Sequence, residues 1–472
     1  MLFNDYKKSF IVAHLCFLLS LCAVYFIPII ASFIGDSVLP PMNKYLRFYI
    51  IFIFTLVFIF YILDLYYCNK IKLFESGKSI LSGYFWASTV SVMVFLCSSY
   101  ALLSSDLFEY SLRARMLSLY DLNPYLSIPA KIKNDFFYPM LFWKKTPECY
   151  GPLWVKIGQL HSVFFKNSMF LTSFMHKAVL LVFLGLSSLA FYKLAYQLKI
   201  KKSRLLTAAF FMNPLVIVST IVDGHNEIAM TFFILSASLF LLRSRYVLSL
   251  FFLALAIQVK FVYVLIVPFF ILYILKDASK KILIRFVDIF AAAIFSFIAV
   301  LFLWLPFGKE SVIAIIRYYK ELSLNFWFDS IPFAVYFILD KIGIVVDKYN
   351  IATFFSIVFA LIYVCLLVNF VKRIKQDQKI FFTTVSLILL ALFITNSTPF
   401  QAWYLLWVIP FILLSGIKTR FLLVLLLSYF FILTFWKRMS VLFLPMIVSY
   451  VLLQFYSDKF VRFRRFLYSL EE

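Results

Sequence analysis

The feature that most constrains this chain is a series of apolar runs of about 15–24 residues separated by short polar breaks. A helical run of that length crosses a ~30 Å hydrocarbon core, and a helix satisfies its own backbone while doing so. About fourteen such segments can be laid out, near residues 10–33, 47–67, 80–103, 178–197, 205–222, 227–242, 246–259, 262–275, 286–306, 349–371, 380–395, 402–416, 420–436 and 440–456. Several, such as Tyr246–Val259, are too short to cross alone. They suggest broken or re-entrant helices, which are tolerated where the backbone lines a protein cavity. The expected fold is all-α, one polytopic integral membrane domain over residues 1–472.

Composition and charge agree. Of the 472 residues 64% are hydrophobic and 14% charged, against about 25% charged in an ordinary soluble domain, so polar surface is too scarce for a water-soluble body. A net charge of +23 in a soluble chain would raise nucleic acid as a partner. Alternating the segments from a cytoplasmic N-terminus puts 26 Lys and Arg with 9 acids inside, and 19 with 13 outside. The inner groups include Lys199/Lys201/Lys202/Arg204, Lys276/Lys280/Lys281/Arg285, Lys372/Arg373/Lys375 and Arg462/Arg464/Arg465. The outer breaks near 223–227 and 396–402 carry no Lys or Arg. That is the positive-inside pattern, so anionic inner-leaflet lipid accounts for the basic excess and no nucleic acid is needed. Both termini are expected in the cytoplasm. The stretch from Phe10 to Phe33 behind Lys7 and Lys8 exceeds a signal-peptide core and reads as the first span. Six cysteines contain no C-x-x-C pair, which indicates neither a disulfide framework nor a zinc site.

Two outer segments are too long to be mere connections, residues 104–177 and 308–350. In the second, Val312, Ile316, Tyr319 and Leu322 recur at helical spacing, and Arg317 and Glu321 form an i,i+4 pair. A helix lying in the membrane interface is expected there.

Polar residues concentrate in a few outer stretches. If Ser105–Arg113 is helical, Asp106, Glu109, Tyr110 and Arg113 share one face. A half-desolvated carboxylate near Arg113 and Arg115 can be held ionised and oriented, as a general base requires. A solvated helix start with Asp106 near its N-terminus accounts for the same residues. Asp121-Leu122-Asn123-Pro124-Tyr125 is a turn signature, and Tyr150-Gly151-Pro152-Leu153-Trp154 is a loop breaker followed by an aromatic. Asp223-Gly224-His225-Asn226-Glu227 is either a short solvated hairpin or a polar cluster facing a cavity, with His225 as proton carrier or phosphate donor. No second histidine or carboxylate stands at metal-ligand spacing there, so no metal and no other cofactor is expected. Lys260, between two apolar runs, either snorkels to the interface or offers a cation to a phosphate. Ser397–Trp407, with Gln401, Trp403 and Tyr404, forms an uncharged aromatic rim that serves as an interfacial belt or as a stacking surface for a sugar ring.

In chain order, Asp106-x-x-x-Tyr110, Asn123-Pro124-Tyr125, Tyr150-Gly151-Pro152-Leu153, His225-Asn226-Glu227, Val259-Lys260 and Trp403-Tyr404-Leu405-Leu406-Trp407 resemble the GT-C superfamily of membrane glycosyltransferases. The pattern is nearest the bacterial polyprenyl-phosphate-mannose-dependent α-mannosyltransferases. The resemblance implies many transmembrane helices, a large first extracytoplasmic loop carrying a catalytic Asp, here Asp106, and residence in a bacterial plasma (inner) membrane. It also implies transfer of one sugar, mannose, from a polyprenyl-phosphate donor to a hydroxyl of a glycan or glycolipid acceptor, with inversion. Lys260, His225 and Arg113 would then hold the donor phosphate. Glu109, Tyr110, Tyr150, Asn226, Glu227, Gln401, Trp403 and Tyr404 would contact substrate. Two positions depart from the pattern: Glu109 stands where relatives carry a small polar residue, and Glu227 where they carry Asp. A transporter or flippase of lipid-linked sugars is the alternative, and would show repeated halves and a midplane site; a membrane polymerase or ligase moving whole glycans is a second.

Overall fold

The computed structural model describes residues 2–33, 44–75, 80–324, 330–374, 377–396, 401–417 and 420–432. All regular structure among them is helical, as the apolar pattern requires. The α-helices run α1 (Leu2–Phe33), α2 (Lys44–Lys70), α3 (Ile80–Leu96), α4 (Asp106–Leu119), α5 (Pro152–Phe164), α6 (Met169–Gln197), α7 (Ser203–Phe211), α8 (Pro214–Ile217) and α9 (Glu227–Leu242). They continue as α10 (Tyr246–Val259), α11 (Val267–Lys276), α12 (Ile282–Trp304), α13 (Lys309–Leu324), α14 (Ile331–Lys341), α15 (Lys348–Arg373), α16 (Lys379–Thr395), α17 (Ile409–Leu414) and α18 (Arg420–Ile432). The expected span near 440–456, the basic group Arg462/Arg464/Arg465 and residues 397–400 of the aromatic rim lie outside the described residues.

Among the described residues five helical stretches are long and apolar enough to cross a membrane: Asp5–Ala31, Tyr45–Lys70, Met169–Gln197, Ile282–Phe307 and Lys348–Arg373. A sixth results if Ser203–Phe211 and Pro214–Val222, bent by 47° at their junction, count as one. Seven shorter apolar helices coincide with other expected segments. Among the described residues the expected segments thus fall into five or six full-length spans and a set of short or broken helices. Helices α12 and α15 are apolar and largely uncovered by the rest of the chain, with Phe290, Phe297, Phe302, Phe354 and Leu361 all exposed. In a bilayer such faces meet lipid.

The bend between α7 and α8 has a local cause. Asn213 Oδ1 accepts the N–H groups of Leu215 and Val216 at 3.0 and 3.4 Å, capping a new helix that opens on Pro214. Its amide also donates to Ser428 Oγ of α18 at 3.0 Å. A single π turn, Val218–Val222, follows, and Gly224 then turns the chain at φ +73°. The expected polar break at 223–227 is thereby carried into the interior instead of into solvent, with Asp223, His225, Asn226 and Glu227 all buried.

Helix α6 begins at Met169, nine residues before the apolar run that announced it. Ser168 caps it by accepting the Leu171 N–H at 3.2 Å. The polar residues that obscured its first turns are paired inside the protein: Lys177 Nζ donates to Ser99 O at 2.6 Å, and His176 Nε2 lies 3.0 Å from Gly224 O. Helix α13 forms within the second long outer segment. Ser311, Ile315 and Tyr319 turn inward, packing near Asn123, Tyr125 and Phe261, while Val312 and Ile316, which share the apolar stripe with Tyr319, are exposed.

Helices α1, α2 and α3 are tied by a buried polar network away from the break. His14 Nδ1 lies 2.8 Å from Asp64 Oδ2 and His14 Nε2 lies 2.9 Å from Ser88 Oγ. The ring is stacked between Phe10 and Phe85. Removing one partner leaves the other buried and unsatisfied. Asp64→Ala is therefore expected to cost about 2 kcal/mol, measured as a lower melting temperature of the purified protein, with Asp64→Asn costing less.

Candidate functional site

The site assembles where the chain leaves the short third helix, breaks before α9, ends α10 and enters the 3₁₀ turn Ala402–Trp407. Helix α4 starts at Asp106, whose N–H is accepted by Ser104 Oγ at 3.1 Å. One turn on, Tyr110 O–H donates to Asp106 Oδ2 at 3.4 Å. His225 Nδ1 approaches the same oxygen at 3.5 Å without completing a hydrogen bond. The His225 ring lies flat on Trp403, with centroids 3.9 Å apart and planes at 18°.

Beside this pair Lys260 Nζ donates to Glu227 Oε1 at 2.6 Å. Lys260 is the residue at which α10 ends, in extended conformation, so its side chain leaves the helix axis and enters the site. Its ammonium sits 5.1, 4.3 and 4.9 Å from the ring centroids of Tyr150, Tyr404 and Trp407. Aromatic faces attract a cation, and the Glu227 carboxylate pairs it, so the side chain finds partners away from water. Lys260 is thus buried and paired, which excludes the snorkelling alternative.

Burial works to raise the pKa of Asp106, but the His225 ring, the Lys260 ammonium and the Ser104 hydroxyl outweigh it and hold the carboxyl below its ordinary value. The group is a carboxylate at neutral pH, aimed into the cluster. Around it stand polar atoms that find no hydrogen-bond partner among the described residues: both ring nitrogens of His225, both amide atoms of Asn226, Glu227 Oε2, and the indole Nε1 of Trp403 and of Trp407. Buried polar groups are nearly always satisfied, so these orphans around one carboxylate offer donors and acceptors that a polyhydroxylated or charged ligand could satisfy. Among the described residues no three His, Cys, Asp or Glu side chains are grouped so as to hold a metal ion.

Of the expected residues, the structure gathers Asp106, Tyr110, Tyr150, His225, Asn226, Glu227, Lys260, Trp403 and Tyr404. Gln401 opens the 3₁₀ turn that carries the two aromatics. Glu109 and Arg113 turn away from this group. They are ion-paired to each other, and Glu109 Oε1 accepts the N–H groups of Phe142 and Trp143 at 2.7 and 2.6 Å. The Arg113 guanidinium reaches the carbonyls of Trp143 and Thr146 at 3.3 and 3.2 Å. One helical face is therefore divided: Asp106 and Tyr110 serve the site, while Glu109 and Arg113 fasten loop 141–148. Arg113→Met is accordingly expected to loosen that loop, leaving Glu109 a buried unpaired charge at a cost of about 3 kcal/mol. Limited proteolysis of ligand-free protein would record it; a residue that only held a ligand would not change it.

Two further contributors went unassigned in the sequence. Trp407, a member of the Trp403–Trp407 stretch, forms one wall around Lys260. Glu148 Oε1 accepts the N–H groups of Cys149 and Tyr150 at 2.7 and 2.9 Å, fixing the loop that presents Tyr150. Gly151 N–H then donates to Val259 O at 3.0 Å, which docks this loop on the end of α10 beside Lys260.

A family model described as Alpha-(1->6)-mannopyranosyltransferase, N-terminal domain, matches residues 27–276, more than half of the chain. No curated protein matches significantly.

Proposed function

Because the chain belongs to the alpha-(1->6)-mannopyranosyltransferase family, and is thus a mannosyl glycosyltransferase, we propose that it moves mannose from a polyprenyl phosphate to an acceptor hydroxyl of a glycan or glycolipid, with inversion, on the extracytoplasmic face. The observation that carries this reading is the partly buried Asp106 carboxylate set among Lys260, His225 and a ring of unpartnered polar atoms walled by Trp403, Tyr404 and Trp407.

Asp106 Oδ2 takes the proton of the incoming hydroxyl as its oxygen bonds to the anomeric carbon. In the same displacement the bond from that carbon to the phosphate oxygen breaks, and the lipid phosphate leaves with the electron pair. Negative charge grows on the leaving oxygen, and Lys260 beside Asp106 counters it where water is scarce. His225, whose Nε2 has no partner among the described residues, donates to the phosphate; stacking on Trp403 fixes the plane of its ring. Asn226, Glu227 Oε2 and the indole N–H groups offer both donors and acceptors to sugar hydroxyls, with Tyr150, Gln401 and Tyr404 shaping the pocket. Arg113 is left out of the phosphate site because its guanidinium is committed to loop 141–148. The outward orientation rests on the charge asymmetry, which assigns loop 104–177, the break at 223–227, Lys260 and residues 401–407 to the same side.

The test is transfer of labelled mannose from polyprenyl-phosphate mannose by inside-out and right-side-out vesicles containing the protein, with the anomeric configuration of the product assigned by NMR. Transfer accessible only from the extracytoplasmic face, giving an α-linked product from a β-linked donor, is expected. A nucleotide-sugar donor supporting the reaction without the lipid phosphate would overturn the donor assignment.

A further inference from the structure

Asp223 lies just before the cluster, in the turn between the π segment and α9, and is 1% exposed. Its Oδ1 accepts two consecutive backbone N–H groups, those of Leu102 and Leu103, each at 2.8 Å. Those residues belong to the non-helical connection between α3 and α4, three to four positions before Asp106. A second tie reaches the same connection from α6, where the fully buried Lys177 donates to the Ser99 carbonyl at 2.6 Å and approaches Ser99 Oγ at 3.3 Å. Lys177 also interacts electrostatically with Asp223. The break that Asp223 belongs to is itself held shut, its N–H donating to Val218 O and that of His225 to Ser219 O, each at 2.9 Å. Gly224 brings it against the first turn of α4, close enough that a side chain at this position would meet Leu107.

Two segments must therefore keep register for the site to exist: the connection that ends in Asp106 and the break that carries His225, Asn226 and Glu227. One carboxylate oxygen joins them. We infer that Asp223 is a positioning residue for the transfer reaction, its Oδ1 pinning the Leu102–Leu103 backbone so that Asp106 meets His225 and the acceptor, with Lys177 holding the same connection at Ser99. Asp223 touches no reacting atom; it acts through Asp106, and the inference rests on Asp106 being the base. Two buried amides converging on one oxygen define a point in space better than packing does, and a catalytic group displaced by about 1 Å loses on the order of 10²-fold in rate.

Hydrogen exchange and transfer kinetics on the full chain in lipid nanodiscs test this with Asp223→Ala, Asp223→Asn and Asp106→Asn. In Asp223→Ala the amides of residues 99–106 are expected to lose protection, and kcat to fall about 10²-fold with donor KM changed less than about twofold. Asp223→Asn keeps an oxygen for both N–H groups, so its protection and its rate are expected within about fivefold of wild type. Unchanged protection of 99–106 in Asp223→Ala overturns the inference whatever the activity does. So does an Asp223→Asn variant that is protected but as slow as Asp223→Ala, since charge and not anchoring would then be at work. Should Asp223→Ala not accumulate, Asp223→Ser, whose oxygen is too short to reach both amides, is held to the same expectations. Full activity of Asp106→Asn sinks the base reading and with it the step through which Asp223 acts, while the exchange measurement separately reports whether Asp223 anchors residues 99–106.

Discussion

Asp106→Asn is expected to lower transfer by about 10²–10⁴-fold, in kcat and kcat/KM alike, while donor affinity and melting temperature stay near wild type. The substitution is isosteric and leaves an oxygen for Tyr110 and a place beside Ser104, so the helix start is preserved. What disappears is the negative charge and the ability to accept a proton. The ordinary aspartic carboxyl titrates at 3.8, and here burial's upward push is outweighed by His225, Lys260 and Ser104, so the group titrates lower. A carboxyl with a lowered folded pKa is ionised above that pKa. Both its contribution to stability and its capacity as a base are lost only as pH falls through the lowered value. The pH profile of kcat/KM is therefore expected to show no acid limb from this group above about pH 4. Lys260→Met removes one of the charges holding the value down and should move such a limb upward. A wild-type limb near pH 6 that vanishes in Asp106→Asn would contradict the assignment.

Gly151→Ala is expected to be the most damaging alanine substitution at any glycine among the described residues. A Cβ at Gly151 would stand 2.0 Å from the Gln258 carbonyl oxygen and 2.3 Å from its carbon. Both are backbone atoms of α10, so no rotamer change relieves the clash; the loop or the helix end must retreat. Either movement breaks the Gly151 N–H to Val259 carbonyl bond and draws Tyr150 away from Lys260. Overpacking costs about 1–3 kcal/mol, and displacement of a cationic group beside the base adds a loss of about 10²-fold in rate. Thermal denaturation and transfer kinetics measure the two effects. Gly83→Ala and Gly185→Ala are the controls: both residues lie within helices with open space at the Cβ position, and both are expected to be neutral or mildly stabilising. If Gly151→Ala behaves like them, the loop does not dock on α10 as described.

The helical architecture was legible because a membrane span is written as an uninterrupted apolar run. The outer polar stretches were legible for the same reason, standing out against their apolar surroundings. The pairing of their members was not. Lys260 and Glu227 meet only because α10 runs back alongside α9, and nothing in either residue's neighbourhood announces the other. Glu109 and Arg113 showed the limit from the other direction: helical spacing put them on the face of Asp106, but the loop that claims both arrives from some thirty residues downstream. The start of α6 was hidden because His176 and Lys177 look like solvent-facing residues until their partners at Gly224 and Ser99 are known. On α13 the apolar stripe left open which of its members meet protein, since an apolar residue in the interface is as content against lipid as against protein; Tyr319 packs inward while Val312 and Ile316 are exposed.

The stacking of His225 on Trp403 bears on how the protein comes into being at the ribosome. Asp106, His225 and Lys260 all lie within the stretch that the family model matches, residues 27–276. The indole that covers His225, and the rings of Tyr404 and Trp407 against Lys260, emerge only after a further long series of segments has entered the bilayer. Until then the chain lacks the rings that cover His225 and Lys260 in the finished fold. On the function proposed above, the aromatic wall is the last part of the pocket to be made, and a translation product arrested before residue 403 would carry the proposed base and cation without it.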